Sequence, residues 1–327
     1  MEYASKHLED VNNVLEKLKG KAFDRIYFVA CGGSSALMYP SAYLVDVKSG
    51  KLAGEYLNSN EFIYRSPKGL GPNAVVILCS QEGQTPETVK AAESAAQKGA
   101  TVINLAMRRG TPLQATSNLF VEYGYYETAN MIDTSYGVMY LLTAGIIDIA
   151  EGTRLFEGMK RNLLAIHPVV QKAKADYAGK AMEFATGCKD AQVLYSLASG
   201  CDYSQAYVFC NCYMMEMQWI NAIPLHAGEF FHGPFEIIEK ESPVVLLMGR
   251  DETRFLEERA LAFLRKFTDR LFVIDTKEID YGGVDQEFEG YMSVLVLNNI
   301  CREYSKTIAK VRDHSLDIRR YMHLMEY

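Results

Sequence analysis

An acidic residue and a histidine in the second half of the chain have the types and surroundings that acid–base chemistry needs. Glu216 lies in the run 212–220, which is rich in Met, Tyr and Trp and predicts a mostly buried helix. A carboxylate in apolar surroundings either has a raised pKa and works as an acid or base, or is paired and structural. His232 precedes Gly233-Pro234, where a strand and a loop give way to a new helix, and an imidazole passes protons near neutral pH. On pattern alone, each residue keeps a structural alternative.

Two loops in the first half carry groups that suit a phosphate. The sequence CGGSSA at 31–36 follows the first predicted strand, and CSQEGQTP at 79–86 ends a later one. In an open parallel sheet such loops lie at the carboxyl ends of the strands, where ligands collect. Glycines let the backbone approach a phosphate, while hydroxyls, amides and a helix N-terminus donate hydrogen bonds to it. The alternative is that these hydroxyls only cap helices. The candidate phosphate-binding residues are Gly32, Gly33, Ser34, Ser80, Gln81, Gly83 and Thr85.

The segments that position these residues read as strands and helices in alternation. Continuous apolar strands between helices are typical of parallel sheets that are covered on both faces. The helix after the second loop is predicted to begin at Pro86, because Thr85 offers a capping hydroxyl and proline suits the first helical position. The sequence therefore predicts the α/β fold class. The apolar or β-branched runs that predict strands are 25–30, 74–79, 101–105, 119–123, 192–197, 243–248 and 270–275.

The length of the chain predicts two domains. Its 327 residues are about twice a usual domain of roughly 150. A boundary is expected near 150–170, where charged residues and His167-Pro168 interrupt the apolar pattern, so the predicted domains span 1–155 and 165–327. An internal repeat supports this division, because three separate segments match later segments at the same offset of 168 residues. The matches pair Gly32 with Gly200, Glu61-Phe62 with Glu229-Phe230, and 76–78 with 244–246.

Composition excludes several classes of function. Hydrophobic residues make up 49% of the chain and charged residues 23%, which predicts a globular protein with a large core rather than disorder. With 34 basic against 41 acidic residues and a net charge of −7, nucleic acid is a poor partner. No apolar stretch approaches the roughly 20 residues of a membrane span, so no membrane partner is expected.

Seven scattered cysteines predict free thiols rather than a disulfide framework, as expected of a protein in the reducing cytoplasm. Cys210-Asn211-Cys212 has neither the two-residue gap of a redox pair nor a second ligand pair for zinc, and the other metal-ligating types are dispersed. No metal site is therefore expected.

Longer motifs resemble a known family. A strand followed by CGGSS, and a strand followed by SQxGxT, PET and a helix, resemble the sugar isomerase (SIS) domain, a phosphosugar-binding α/β fold. The segments MEMQWI at 215–220 and HAGEFFHGPFEI at 226–237, with tail residues 319–322 and 326–327, resemble the fructosamine-6-phosphate deglycases of the fructoselysine and fructose-asparagine type. The resemblance covers nearly the whole chain. It implies two tandem SIS domains, each a parallel sheet with helices on both faces in the flavodoxin-like three-layer arrangement.

The resemblance also implies roles for single residues. Glu216 matches the general base of the deglycases and of the isomerase half of glucosamine-6-phosphate synthase. His232 matches the family's catalytic histidine, which reaches into the partner subunit's site, so a homodimer or higher homo-oligomer with its active site at the subunit interface is expected. Glu229 is a candidate for catalysis or for a structural role at a strand end. Arg320, where the synthases have a tail lysine, is a candidate for binding a carboxylate. No cofactor is expected.

One residue departs from the family pattern. SIS domains commonly have serine, a phosphate donor, before the loop glycine, where this chain has Glu82. A carboxylate beside a phosphate dianion is repelled when both are poorly solvated. Glu82 therefore turns away, contacts the amino group of the substrate, or marks a different mode of phosphate binding.

The predicted reaction is hydrolysis of a 6-phosphorylated fructose–amino acid to glucose 6-phosphate and the free amino acid, through an enaminol and an imine. The same proton shift without an amine is aldose–ketose isomerisation, and deamination of glucosamine 6-phosphate is a further alternative. A glutamine-dependent synthase is disfavoured, because the chain has neither an N-terminal nucleophilic cysteine nor the residues for a glutaminase domain. A non-catalytic sugar-phosphate sensor needs a helix-turn-helix domain, for which the roughly twenty polar residues before the first strand are too few.

Overall fold

The computed structural model describes residues 3–322 and 324–326, which form two compact units. The first unit ends at His167 and the second begins at Pro168. Tyr327, one of the tail residues that carry the family resemblance, lies outside the described residues. Within the described ranges, no helix combines the length and the apolar character that crossing a bilayer requires.

The first unit is a parallel sheet of five strands with helices between them. The strands are β1 Arg25–Ala30, β2 Ala53–Asn58, β3 Ala74–Cys79, β4 Thr101–Ala106 and β5 Phe120–Glu122. Their order across the sheet is β2-β1-β3-β4-β5, and every neighbouring pair is parallel. The helices are α1 Lys6–Leu18, α2 Gly32–Lys48, α3 Ser59–Arg65, α4 Pro86–Gln97, α5 Pro112–Ala115 and α6 Ser135–Glu151, with a 3₁₀ turn at Met131–Asp133.

Helix α7, Leu155–Asp176, runs through the boundary between the two units. The sequence pattern predicts an interruption here, but the helix is continuous and contains Pro168. A proline inside a helix removes one backbone hydrogen bond without ending the helix when neighbouring turns are stable.

The second unit is a parallel sheet of four strands. They are β6 Val193–Ala198, β7 Asn221–His226, β8 Val244–Met248 and β9 Leu271–Asp275, in the order β7-β6-β8-β9. Neighbouring strands are again parallel. The helices are α8 Ala178–Cys188, α9 Tyr203–Tyr207, a π-helix at Val208–Met217, α10 Arg254–Phe267 and α11 Glu289–Val311, with 3₁₀ turns at Gly200–Asp202, Pro234–Ile237, Thr276–Glu278 and Gln286–Phe288.

The central strands are buried along almost their whole length, as the apolar runs predict. Every residue of β3 and of β8 is buried, and β1 is buried after Arg25. Helices α3 and α4 cover one face of the first sheet, where Phe62 and the alanines 91, 92 and 95 pack on Tyr27, Val76 and Leu78. The α/β prediction with two parallel sheets is confirmed, and all seven predicted strands are present.

Two strands that the sequence pattern missed lie at the edges of the sheets. β2 exposes three of its six residues and buries only Leu57, while β7 contains Pro224. Neither segment shows a continuous apolar run, and an edge strand, which pairs on one side only, tolerates proline and solvent. β6 and β7 begin 168 residues after β1 and β2, which is the offset of the sequence matches.

Gly137, in the first turn of α6, occupies a position with no space for a side chain. A Cβ atom there would lie 2.1 Å from the carbonyl oxygen of Met131 and 2.6 Å from that of Ile132. Because backbone oxygens cannot rotate aside, we expect Gly137→Ala to lower the free energy of unfolding by about 1–3 kcal/mol, measured by urea denaturation.

Gly179→Ala in α8 is the matched control. Gly179 is exposed, and a Cβ atom there would meet no heavy atom within 4 Å. We expect this variant to change the free energy of unfolding by less than about 1 kcal/mol. Equal urea midpoints for Gly137→Ala and wild type would show that the first turn of α6 is free to adjust.

Candidate functional site

The first predicted loop is the start of a helix at the edge of the first sheet. β1 ends at Ala30 and α2 begins at Gly32, with Cys31 in the N-cap position. No side chain of the described residues caps this helix, and Gly32 and Gly33 are exposed. The amides of the first turn are therefore accessible to an anion. Gly32 has a φ of +54°, which favours glycine, and the half-buried Ser34 adds a hydroxyl to the same turn.

The second loop is held by its own hydrogen bonds. Ser80 is buried, and its Oγ lies 2.9 Å from Oγ1 of Thr85. The amide of Gly83 donates to the carbonyl of Ser80 at 2.9 Å, while the side chain of Gln81 is exposed. Thr85 occupies the N-cap position of α4, but its hydroxyl makes no capping bond to the helix backbone. The capping role predicted for this hydroxyl is therefore wrong, because Ser80 is its partner.

Gly83 is fixed by close packing as well as by its backbone. Its φ is +65°, and a Cβ atom there would lie 2.4 Å from Oγ1 of Thr111. Its carbonyl accepts a hydrogen bond from the amide of Leu113 at 3.0 Å. The loop can therefore adopt this backbone conformation only with glycine at position 83.

The strand register brings the two loops to one edge. β1 and β3 are neighbours, with Ala30 opposite Cys79, so both loops leave the sheet at the same level. All seven phosphate candidates lie on these two loops at the carboxyl edge, which is where ligands of parallel sheets bind.

Glu82 is paired with an arginine that follows β4. Its Oε2 lies 2.5 Å from Nη2 of Arg108, and the two side chains are 45% and 55% exposed. Of the three explanations for this residue, the pair corresponds to the first, because the carboxylate turns toward Arg108. The positive charge offsets the repulsion that a free carboxylate would exert on a phosphate at this edge.

Glu216 lies close to the end of the π-helix Val208–Met217 in the second unit. The prediction of a mostly buried helix is confirmed, although its turns are wider than α-helical ones, a form that is frequent at functional sites. Of the two alternatives for the carboxylate, the structure shows the paired one. The side chain is 24% exposed, and Oε1 lies 2.8 Å from Nη2 of Arg319. The buried residues of this helix are Val208, Phe209, Cys210, Cys212, Tyr213 and Met214.

Two adjacent arginines of the tail make different contacts. Arg319 pairs with Glu216, whereas the guanidinium carbon of Arg320 lies 3.9 Å from the ring centroid of Trp219. Sequence reasoning selected Arg320 to bind a carboxylate and named Arg319 only among the tail residues. The Arg-Arg pair was a visible signal, but adjacency does not show which side chain meets a carboxylate.

The base of the tail is fixed to the segment after the π-helix. Nε2 of Gln218 donates to the carbonyl of His314 at 2.9 Å, and the guanidinium of Arg312 donates to the carbonyl of Gln218. The ring of His314 packs 4.5 Å from that of Trp219, whose φ of +56° is strained for a bulky residue. These contacts on both sides hold the strained residue in place.

His232 and Glu229 lie on the exposed turn that follows β7. The amide of Glu229 donates to the carbonyl of His226, and the amide of His232 donates to the carbonyl of Glu229, both at 2.9 Å. Both side chains are exposed. In the described part of the chain, no hydrogen bond or ion pair joins His232 to Glu216. The helix predicted after His232 is a single 3₁₀ turn at Pro234–Ile237.

His226, at the end of β7, is half-buried and acts as a hydrogen-bond acceptor. Its Nδ1 accepts from the amide of Gly228 at 3.1 Å, and its ring lies 5.2 Å from that of Tyr203. Burial lowers the pKa of His226, although the carboxylates of Glu229 and Asp251 oppose this shift. The neutral imidazole is therefore favoured in the folded protein.

The fold and the loops at its first sheet edge are those of an SIS-domain protein, and the SIS domain family matches residues 21–143. The chain is 43% identical over 318 residues to the fructosamine deglycase FrlB of Bacillus subtilis, with 97% of each chain covered. It is 27% identical over 321 residues to the fructoselysine 6-phosphate deglycase of Escherichia coli K12, which covers 97% of this chain and 91% of the relative.

A solved structure from Bacillus subtilis, described as a candidate phosphosugar isomerase, superposes with a TM-score of 0.96 at 43% identity. The match covers 98% of this chain and 97% of the other. The chain belongs to the SIS family, in the group of the fructosamine deglycases, and the resemblance stated from its motifs is confirmed.

Acid should weaken the folded protein through His226. Because the folded state resists protonation of this ring, the unfolded chain binds the proton more readily as the pH falls below about 6.5, and stability is lost in that range. We expect the urea midpoint of wild type to fall between pH 7 and pH 5 more than that of His226→Asn. Asparagine offers an oxygen that can accept from Gly228 but does not titrate. If the urea midpoints of the two proteins fell equally between pH 7 and pH 5, His226 would not be the cause of the acid sensitivity.

Proposed function

We propose that the protein is a fructosamine-6-phosphate deglycase, which hydrolyses a 6-phosphorylated fructose–amino acid to glucose 6-phosphate and the free amino acid. The observation that carries this proposal is the 43% identity with a fructosamine deglycase across 97% of both chains. The name of the Escherichia coli relative adds a sugar 6-phosphate as the substrate class.

The phosphate of the substrate binds at the carboxyl edge of the first sheet. The amides of the first turn of α2, at Gly32 and Gly33, donate to it together with the hydroxyl of Ser34. The second loop contributes the amides of Gln81 and Glu82 and the hydroxyls of Ser80 and Thr85. Support comes from the accessible helix start and from a loop backbone that is already fixed, so little ordering is needed on binding.

Glu216 removes the proton from C1 of the substrate. That proton is acidic because C1 carries the amine and adjoins the C2 carbonyl, and its loss gives an enaminol. Reprotonation at C2 gives an imine at C1, and His232 moves protons to and from the sugar oxygens or the leaving amine. Water then adds to the imine and releases glucose 6-phosphate and the amine, so one water is consumed. Support for Glu216 comes from its ion pair with Arg319, which fixes the orientation of the carboxylate.

The amino-acid part of the substrate carries a carboxylate, and Arg320 is its proposed partner. Glu229, which lies on the same turn as His232, remains a candidate for catalysis or for a structural role. The protein acts as a cytoplasmic homodimer with its active site at the subunit interface, and its two units descend from one duplicated domain. Seven free cysteines support a reducing compartment, and the offset of 168 from β1 to β6 and from β2 to β7 supports duplication.

Replacing Glu216 tests the chemistry directly. We expect Glu216→Gln to lower the rate of amine release from fructoselysine 6-phosphate by about 10²–10⁴-fold, because the amide cannot accept the C1 proton. The Kd for glucose 6-phosphate, measured by calorimetry, should change little, since the phosphate loops are intact. Turnover at the wild-type rate would remove Glu216 from the mechanism.

A mixture of inactive chains tests the shared site. If His232 serves the partner's Glu216, subunit exchange between Glu216→Gln and His232→Ala restores about a quarter of the active sites. Each variant alone serves as the control. A mixture that stays as inactive as its components after exchange would place both residues in one subunit's site.

Isomerisation is the second candidate, because the superposed Bacillus subtilis structure is described as a phosphosugar isomerase. Both reactions begin with the same proton transfer and differ in whether an amine leaves. Lysine, asparagine and aspartate adducts of fructose 6-phosphate separate them, since a deglycase releases amine and glucose 6-phosphate in equal amounts and an isomerase releases no amine.

The pair of Glu82 and Arg108 predicts a charge effect on phosphate binding. Arg108→Ala leaves the carboxylate of Glu82 unpaired, so we expect the Kd for glucose 6-phosphate to rise by about two- to fivefold. Glu82→Gln in the same chain should return the Kd close to the wild-type value. A double variant as weak as Arg108→Ala would mean that Arg108 binds the phosphate itself.

A further inference from the structure

The carboxyl edge of the second sheet holds acidic side chains that the proposed reaction does not use. The turn Gly200–Asp202 follows β6, and Asp251 follows β8, the strand beside β6. Donor atoms of Cys201, Asp202 and Asp251 all lie within 4.8 Å of one another. In the first sheet, the corresponding edge carries the phosphate loops, so the two edges differ sharply in charge.

Asp202 is the residue whose surroundings point to a ligand. Its side chain is fully buried, and within the described residues neither carboxylate oxygen has a hydrogen-bond partner. Burying a carboxylate in this way is costly. Protonation would remove the charge but leave a hydroxyl with no acceptor in reach, which is itself unfavourable. A bound cation removes both costs.

The other two donors are held in place by their own contacts. Oδ1 of Asp251 accepts from the amide of Thr253 at 2.9 Å and from its hydroxyl at 2.6 Å. Oδ2 accepts from the amide of Cys201 at 3.0 Å and lies 3.3 Å from Sγ of the same residue. The carboxylate and the thiol are therefore preorganised beside Asp202.

The neighbouring positive charges are paired elsewhere. Nη1 of Arg250 lies 3.0 Å from Oε2 of Glu289, and Nη2 of Arg254 lies 2.7 Å from Oδ2 of Asp275. Within residues 3–322 and 324–326, no ion pair reaches either aspartate of the cluster. The described protein does not itself balance the charge of these carboxylates.

Two glycines allow the backbone to close around the carboxylates. A Cβ atom at Gly249 would lie 1.9 Å from Oδ2 of Asp202, and one at Gly200 would lie 1.9 Å from Oδ2 of Asp251. Both loops therefore use glycine where the acidic groups approach the chain.

We propose that Cys201, Asp202 and Asp251 bind one zinc ion. A thiolate with two carboxylates is a donor set that suits zinc, with water as the fourth ligand of a tetrahedral site. The ion would hold the turn at 200–202, which leads directly into α9 and the π-helix that carries Glu216. The expectation of no metal arose because Cys201 and Asp251 are 50 positions apart, a separation that no spacing motif reveals.

Metal content of the intact protein is the first test. Wild type purified from zinc-supplemented cultures, without a metal-affinity step, should hold about one zinc per chain by mass spectrometry of the digested sample. Asp202→Asn, which keeps the shape but not the charge, and Cys201→Ser should each lose it. Asp269→Asn, at an exposed carboxylate paired with Lys240, and Cys188→Ser, at a buried thiol outside the cluster, should keep it.

A second measurement uses wild type alone, in case Asp202→Asn fails to fold. Cobalt(II) added to protein stripped with a chelator should give the absorption of a thiolate-to-cobalt charge transfer, saturating at about one equivalent. Zinc sulfate added to the same stripped protein should raise its Tm, because a ligand that binds the folded state stabilises it.

Three outcomes would overturn the proposal. Folded wild type with less than about a tenth of an equivalent of zinc, no charge-transfer band and no change in Tm would leave Asp202 as a buried acid satisfied without metal. Zinc retained in both Asp202→Asn and Cys201→Ser would place the ion elsewhere. A cobalt complex of wild type without the charge-transfer band would exclude Cys201 as a ligand.

Discussion

Each sheet depends on central strands that are apolar on both faces. β3 and β8 are buried at every position, and their backbone groups are satisfied by parallel neighbours. Polar side chains therefore have little place along these strands and collect where the strands end. The candidate phosphate loops after β1 and β3, and the acidic cluster after β6 and β8, both follow from that constraint.

The carboxyl edges of the two sheets carry groups of opposite electrostatic character. In the first unit, the helix start at Gly32 is accessible, and the carboxylate of Glu82 in the second loop is paired with Arg108. In the second unit, Asp202 is buried without a partner and Asp251 lies beside it. An edge with hydrogen-bond donors suits an anion and an edge with carboxylates suits a cation, so the corresponding edges of the two parallel sheets differ in the ligand chemistry that they favour.

Features that depend on local sequence were predictable, and features that depend on distant partners were not. Apolar runs are local, so the central strands and the loops that follow them could be placed. The edge strands β2 and β7 carry no such run, since solvent and a single neighbour define them. The partners of Glu82 and Glu216 lie on other segments, and only the folded chain shows that they are Arg108 and Arg319.

The hydroxyl of Thr85 shows how a local rule fails at a candidate site. Its position after a loop and before Pro86 satisfies the pattern of a capping residue, and the helix does begin there. Ser80, five residues earlier, offers a closer partner because the loop folds back on itself. The hydroxyl of Thr85 therefore stabilises the loop, although the sequence pattern predicts that it caps the helix.

The chain has a single tryptophan, Trp219, and it lies between the imidazole of His314 and the guanidinium of Arg320. Indole emission is sensitive to adjacent charge and to water, so a displacement of His314 or Arg320 from the indole is expected to alter the intrinsic fluorescence. Tryptophan fluorescence therefore reports on the segment that carries Arg319, and the indole lies three positions beyond the carboxylate that Arg319 contacts.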